Sequence, residues 1–393
     1  VSVIARTLCA VAAVALLAAP SATASSHVVQ QLALLQRAGV DVPRVVKPVQ
    51  RRALSVDEPA LADTYQPGVA WEWQWDAARL NAVPDRVLRA AASVKIAVID
   101  SGADVAAPDL ADKSPNTWSV LSHSTRVRDR LGHGTFVSSL ATGSVTNGTG
   151  ISGFGGDAQL LVVQAIDADG YITDVDEAAA IVYAVSHGAK IINLSIGGSE
   201  TSQVERRAIR WAARRGVLIV AAAGNEHEEG NLPDYPAALL QPLGSRGRGG
   251  IGLAVGATSM DGSRAYFSNT GSYLSLAAPG YNVFAAESAD APWPRAQLPW
   301  ASPGYYGWAS GTSFASPEVA GAAALVWAAN PRLTSPQVAQ VLKQSADGES
   351  WNRELGWGRL DATAAVHLAQ QTKGAALRHV RYDPRPSHSS PPS

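Results

Sequence analysis

The sequence is almost without cysteine: among 393 residues only Cys9 is present, and it lies in an N-terminal apolar run. No intrachain disulfide can form, and beyond that run no thiol is available for catalysis. Net charge is also scarce. The 32 basic and 33 acidic side chains leave -1, so no global field draws the chain toward nucleic acid or anionic lipid. No apolar stretch is long enough to span a bilayer. No His-Glu-x-x-His helix exists, and Glu226-His227-Glu228-Glu229 lacks a ligand spacing, which argues against catalytic zinc. Asp167-Ala168-Asp169-Gly170 begins like a calcium loop but lacks its later ligands and reads as a turn. What is plentiful is apolar content, at 46%, enough for a large core without disulfides.

Four regions follow along the chain. Residues 1–24 contain Arg6, the run Leu8 to Ala19, Pro20 and Ala22-Thr23-Ala24, the pattern of a secretory signal cleaved after Ala24. Val1 is either an alternative start or a late beginning. Residues 25–66 hold one amphipathic stretch, Val28 to Ala38, then prolines and paired arginines, and read as a short pro-segment or N-terminal arm. Residues 67–370 form the main domain, whose lead-in strap starts near Asp57. Residues 371–393, rich in Ser, Pro and Arg, read as a flexible tail.

Within the main domain apolar runs alternate with helical patterns. Strands are expected at Lys95 to Ile99, Leu160 to Ala165, Lys190 to Leu194, Val217 to Ala223 and Ile251 to Ala257. Helices are expected at His133 to Thr142, Asp174 to His187, Gln203 to Arg215, Ser313 to Ala329 and Ser335 to Gln344. Asp174 and Ser335 are expected helix caps, and Pro317 is expected in a first turn. The alternation predicts an α/β fold, a doubly wound and mostly parallel sheet flanked by helices.

A serine hydroxyl attacks only when an imidazole can take its proton, and the imidazole works best when a carboxylate fixes its tautomer. Three segments carry those groups. Asp100 ends an apolar strand, where an Asp is more often a turn or cap residue than a catalytic carboxylate at the carboxyl edge of a sheet. His133 stands in Gly132-His133-Gly134-Thr135, either a capping histidine or a base approached closely past its glycines. Ser313 stands in Ser310-Gly311-Thr312-Ser313, either a plain cap or a nucleophile at a helix start whose amides can hold an oxyanion.

Taken in this order, the three segments resemble the signatures of the subtilisin-like serine proteases. The resemblance extends from Trp71 to Gln370, through Ala221-Ala222-Ala223-Gly224-Asn225, Asn193-Leu194-Ser195-Ile196-Gly197-Gly198, Tyr266 to Gly271, Ala277 to Gly280 and Gly356 to Ala362. It implies a subtilisin-like fold and a secreted, monomeric endopeptidase acting on peptides or proteins, with Asp100, His133 and Ser313 as triad. Asn225 becomes the oxyanion donor. Gly170, Tyr171 and Ile172 form one substrate edge, and Ser195, Ile196 and Gly197 the other. Asp234 falls at the base of the first specificity pocket, where it would favour Lys or Arg before the scissile bond; the alternative is a solvated carboxylate. No cofactor is required. Structural calcium stays open, because Asp109 matches a calcium-holding carboxylate of some relatives but no partner loop is visible. A catalytically silent peptide-binding module on the same fold is the rival reading.

Departures from the pattern are Phe136 and Glu318, each standing where the family often has histidine, and the expectation is that they lie near each other. The segment Tyr281 to Trp308 is long and holds Trp293, Trp300 and Trp308, which either cap a lobe, the favoured reading, or cover the site.

Overall fold

The computed structural model describes residues 30–31, 34–40, 50–52, 72–145, 150–292 and 305–372. The expected signal, nearly all of the tail, and Trp293 and Trp300 lie outside them.

Eleven strands are present among the described residues: β1 (Gln50–Arg52), β2 (Lys95–Asp100), β3 (Asn116–Ser119), β4 (Gln159–Gln164), β5 (Tyr171–Thr173), β6 (Ile191–Leu194), β7 (Leu218–Ala222), β8 (Gly252–Thr258), β9 (Leu276–Pro279), β10 (Val283–Ala286) and β11 (Tyr306–Ala309). Seven form one parallel sheet in the order β3-β4-β2-β6-β7-β8-β9. Its central strands are mostly apolar because both faces are covered; every residue of β7 and β8 is buried, whereas the edge strand β3 is polar and partly exposed. The longer helices are α1 (His133–Thr142), α2 (Asp174–Ser186), α3 (Gln203–Arg214), α4 (Thr312–Ala329), α5 (Ser335–Ser345) and α6 (Ala362–Gln371). The α/β architecture expected from the alternation is thus the observed one. β2 lies where the chain turns from one half of the sheet to the other, with β4 on one side and β6 on the other. The carboxyl end of such a strand opens into a crevice.

The helices at Asp174 and Ser335 begin where expected, but their caps lie one residue earlier than expected. Thr173, not Asp174, caps α2 by accepting the Asp176 amide, and Thr334, not Ser335, caps α5 in a reciprocal pair with Gln337. A cap needs extended backbone with a short hydroxyl, which both threonines supply; Asp174 and Ser335 already have helical geometry. Pro317 is not in the first turn of α4 but one turn further in. Its missing N–H would leave the Ser313 carbonyl without a partner, and the Ser195 hydroxyl donates to that carbonyl instead at 2.6 Å.

The few described residues before Glu72 are docked. Leu35 and Val40 are buried in the core that also holds Ile172 and Val175, and Gln31 Nε2 donates to the Val120 carbonyl at 2.7 Å. β1 pairs antiparallel with β5, Arg52 opposite Tyr171 and Gln50 opposite Thr173. The expected lobe after Tyr281 contains the hairpin β10–β11, in which Trp308 packs 5.1 Å from Phe284.

Candidate active site

Asp100 is the last residue of β2, fully buried, and its Oδ1 lies 2.8 Å from His133 Nδ1. An ionised carboxylate can only accept, so Nδ1 carries the proton and Nε2 is left basic. His133 opens α1 because Gly132, with φ 86°, turns the chain into the helix in a conformation that suits glycine. Gly134 allows a close approach: a Cβ there would fall 2.1 Å from the Gly102 carbonyl. Burial alone would lower the His133 pKa, but the Asp100 charge and hydrogen bond, with the Asp129 charge, outweigh it and raise it above the ordinary value.

Ser313 lies at the start of α4, whose entry is bolted from three sides. Thr312 donates through its amide (2.8 Å) and its hydroxyl (2.9 Å) to Asn225 Oδ1. The Gly224 amide donates to the Thr312 hydroxyl at 3.2 Å. Ser316 donates to Asn193 Oδ1, and Asn193 Nδ2 donates to Ser195, which holds the Ser313 carbonyl. With Oδ1 engaged, Asn225 turns Nδ2 toward Gly311, whose ideal Cβ would be 3.6 Å away. The Ser313 amide is among the first helical N–H groups, which have no intrahelical acceptor. Ser313 Oγ and His133 Nε2 are both buried, and neither has a hydrogen-bond partner among the described residues; the His133 ring stands 5.6 Å from the ring of Phe314. Bonds between nucleophile and base often close only on substrate binding.

Gly170, Tyr171 and Ile172 form a turn and an edge. The Asp167 carboxylate accepts the amides of Asp169 and Tyr171, so the expected turn is a self-contained carboxylate cap. Tyr171 is exposed and Ile172 is buried. On the other side, the Ser195 side chain is directed inward, Ile196 is buried, and Gly197 leads into the Gly198–Tyr235 bridge. Asp234 is not a solvated carboxylate. It is 3% exposed, its Oδ1 accepts the Gly198 amide at 2.6 Å, and a Cβ on Gly197 would fall 2.1 Å from the same oxygen. It thus sits directly against the Gly197 segment.

This arrangement of a carboxylate, a histidine and a helix-start serine is accompanied by extended sequence similarity. The profile of the subtilase family matches residues 91–358. The chain belongs to the subtilase family. Among curated relatives, thermophilic serine proteinase of Bacillus sp. (strain AK1) is 30% identical over 312 residues, covering 77% of this chain and 68% of that protein. Thermitase of Thermoactinomyces vulgaris is 32% identical over 278 residues, 69% of this chain and 88% of its own length. Subtilisin E of Bacillus subtilis (strain 168) is 32% identical over 276 residues, covering 70% and 66%. Membership makes this subtilase a serine-type endopeptidase, whose reaction needs no cofactor.

Sequence reasoning passed over Asp129. It is 1% exposed and accepts from Ser101 Oγ, the Gly132 amide, and the amide and hydroxyl of Thr135, so it shapes the loop that delivers His133. Burial raises its pKa despite those bonds. An Asp three residues before a glycine turn was the available signal. Asp109, the candidate calcium carboxylate, accepts the Ile151 amide at 3.0 Å and the Tyr306 hydroxyl at 2.7 Å. Among the described residues no group of three or more His, Cys, Asp or Glu could hold a metal ion.

Phe136 packs 4.6 Å from Phe314 across the α1–α4 contact, and Phe314 is one helical turn from Glu318. Glu318 is fully buried, both carboxyl oxygens are without partners among the described residues, and burial, with the nearby charge of Glu72, pushes its pKa well up. An acid with a raised folded pKa stabilises fully below its unfolded pKa of about 4.3, and that contribution is lost as pH rises through the folded value. Glu318→Met is therefore expected to stabilise the fold at neutral pH by about 1–3 kcal/mol, with a smaller gain near pH 4. Thermal melts across that range read this out; a lower Tm at pH 7 would count against it.

Proposed function

We propose that this subtilase is an exported endopeptidase whose nucleophile is Ser313, with His133 as general base and then general acid and Asp100 as its orienting carboxylate. The Asp100–His133 bond beside a Ser313 hydroxyl free of competing partners carries this reading. Ser313 Oγ attacks the scissile carbonyl as His133 Nε2 takes its proton, giving a tetrahedral oxyanion that the Ser313 amide and Asn225 Nδ2 receive. Collapse breaks the C–N bond, His133 returns the proton to the leaving amine, and water repeats the sequence on the acyl-enzyme.

Substrate lies extended between Gly170-Tyr171-Ile172 and Ser195-Ile196-Gly197, with Asp234 favouring Lys or Arg before the scissile bond. Residues 1–24 direct export, residues 25–66 are the pro-segment, residues 67–370 are the peptidase domain, and 371–393 are a tail. The pairing of Gln50–Arg52 on Tyr171–Thr173 supports the pro-segment, since the chain's own residues occupy the edge assigned to substrate. Among the described residues no helix is long and apolar enough to cross a membrane. A monomer suffices for this chemistry.

Fluorophosphonate labelling of the processed protein tests the nucleophile, with the label expected on Ser313 alone. A peptide series tests the pocket: cleavage after Lys is expected to exceed cleavage after Leu by about tenfold or more, and Asp234→Asn to erase the difference. Equal cleavage of both would remove Asp234 from specificity. Folded, unlabelled protein would favour a silent peptide-binding module.

A further inference from the structure

Between the loop that delivers His133 and the turn that precedes β5 lies an open cavity of about 320 Å³. Arg126, Arg128 and Arg130 line it, together with Ser101, Leu131 and Asp167. The three arginines alternate with Val127 and Asp129 along an irregular extended stretch. Asp129 is buried under Ser101 and Thr135, and Val127 packs against the core that holds Phe136. Inward anchoring of the alternate residues directs all three arginines outward together.

Their charge is not neutralised within the described protein. No ion pair is present for any of the three among the described residues. Asp167, the one acid of the lining, already accepts two backbone amides of its own turn. The cavity walls are fixed, since Gln164 Nε2 donates to both the Ser101 and Arg128 carbonyls at 2.9 and 2.8 Å.

Its position ties it to the reaction. Ser101 follows Asp100 and accepts the Gly134 amide next to His133. Leu131 approaches the substrate edge, with a Cβ on Gly170 falling 3.9 Å from its Cδ2. A strand laid along the Tyr171 edge would run beside Leu131, which lines this opening. We infer that the cavity is a subsite for one acidic side chain, Asp or Glu, of the peptide substrate. The inference rests on the peptidase reading and adds an acidic requirement to the basic one assigned to Asp234, at a different substrate position.

Successive side chains of an extended peptide point to opposite sides, so the acidic preference belongs to one position and not to its immediate neighbours. The test uses the processed full-length enzyme and peptides with Lys before the scissile bond, in which Asp or its isostere Asn is placed at each of the surrounding positions. The Asp-to-Asn ratio of kcat/KM is expected to be about ten at one position and near one beside it. That ratio is expected to drop toward one at high ionic strength, and in the triple variant Arg126→Gln, Arg128→Gln, Arg130→Gln, whose folding is checked by its melt. Arg128→Glu is expected to favour Lys over Gln at the same position. A ratio near one everywhere, with the Asn peptides still cleaved, overturns the subsite and leaves the peptidase standing. Failure to cleave any peptide, together with no phosphonate labelling, overturns both.

Discussion

Replacing Ser313 with Ala is expected to lower kcat by about a millionfold, a magnitude known from subtilisin and carried over from that enzyme, while leaving the fold intact. Catalysis is lost because no acyl-enzyme can form on a methyl group. Stability is kept because the Ser313 hydroxyl is buried without a hydrogen-bond partner, so truncation gives up no bond and removes an unsatisfied polar group. The Ser313 carbonyl, which anchors the helix start to Ser195, is untouched. Single-turnover assays, phosphonate labelling and a thermal melt measure the three consequences. Turnover in a pure sample within tenfold of the parent would refute Ser313 as nucleophile. Adding His133→Ala to this variant is expected to cost almost nothing more, since the two side chains act as one unit.

For Asp100→Asn the expected loss in kcat is about 10⁴-fold, again a magnitude from known serine-protease triads. The amide can donate where the carboxylate only accepts, which favours the wrong imidazole tautomer and places a proton on the nitrogen that should take one. A second readout separates this role from simple packing. The enzyme needs neutral His133, and the raised pKa puts the acid limb of its kcat/KM profile above the ordinary histidine value of about 6.5. Without the Asp100 charge, burial is the larger influence, and the limb of the residual activity is expected to move to lower pH. A limb that stays in place would mean that Asp100 does not set the base's protonation.

On the readings proposed above, the cavity arginines and Asp234 are two charge-reading positions of opposite sign. Subtilase membership supplies neither, because fold and triad leave specificity to the side chains around them. The N-terminal strand bears on any assay of the full chain: β1 takes the β5 edge, so on the proposed substrate path a peptide would have to displace it or follow its removal.

Much of the architecture was open to reading in the amino-acid order alone. Short continuous apolar runs such as Leu218–Ala222 fit strands buried on both faces better than helices, which need more residues, and the helical spacing between them places crossovers on a parallel sheet. The glycine-flanked His133 and the glycine turn before Ser313 are likewise local, because tight approach and helix entry are written in neighbouring residues. β3 and β9 escaped, since Asn116–Ser119 is short and partly exposed and Leu276–Pro279 has no alternation to mark it.

Long-range contacts were decided only by the tertiary structure. Nothing in the local pattern showed that the side chain of Ser195, on the segment expected to form one substrate edge, would meet the carbonyl 118 residues away that Pro317 leaves unpaired. Nor did it show that Asp234 would be buried against Gly198, or that β1 would lie along β5. Local pattern sets which segments are strands, helices and turns, because backbone sterics and hydrophobic period act over a few residues. Which buried polar group finds which partner is settled by packing, since every orphaned donor and acceptor must be met from whatever element the fold brings beside it.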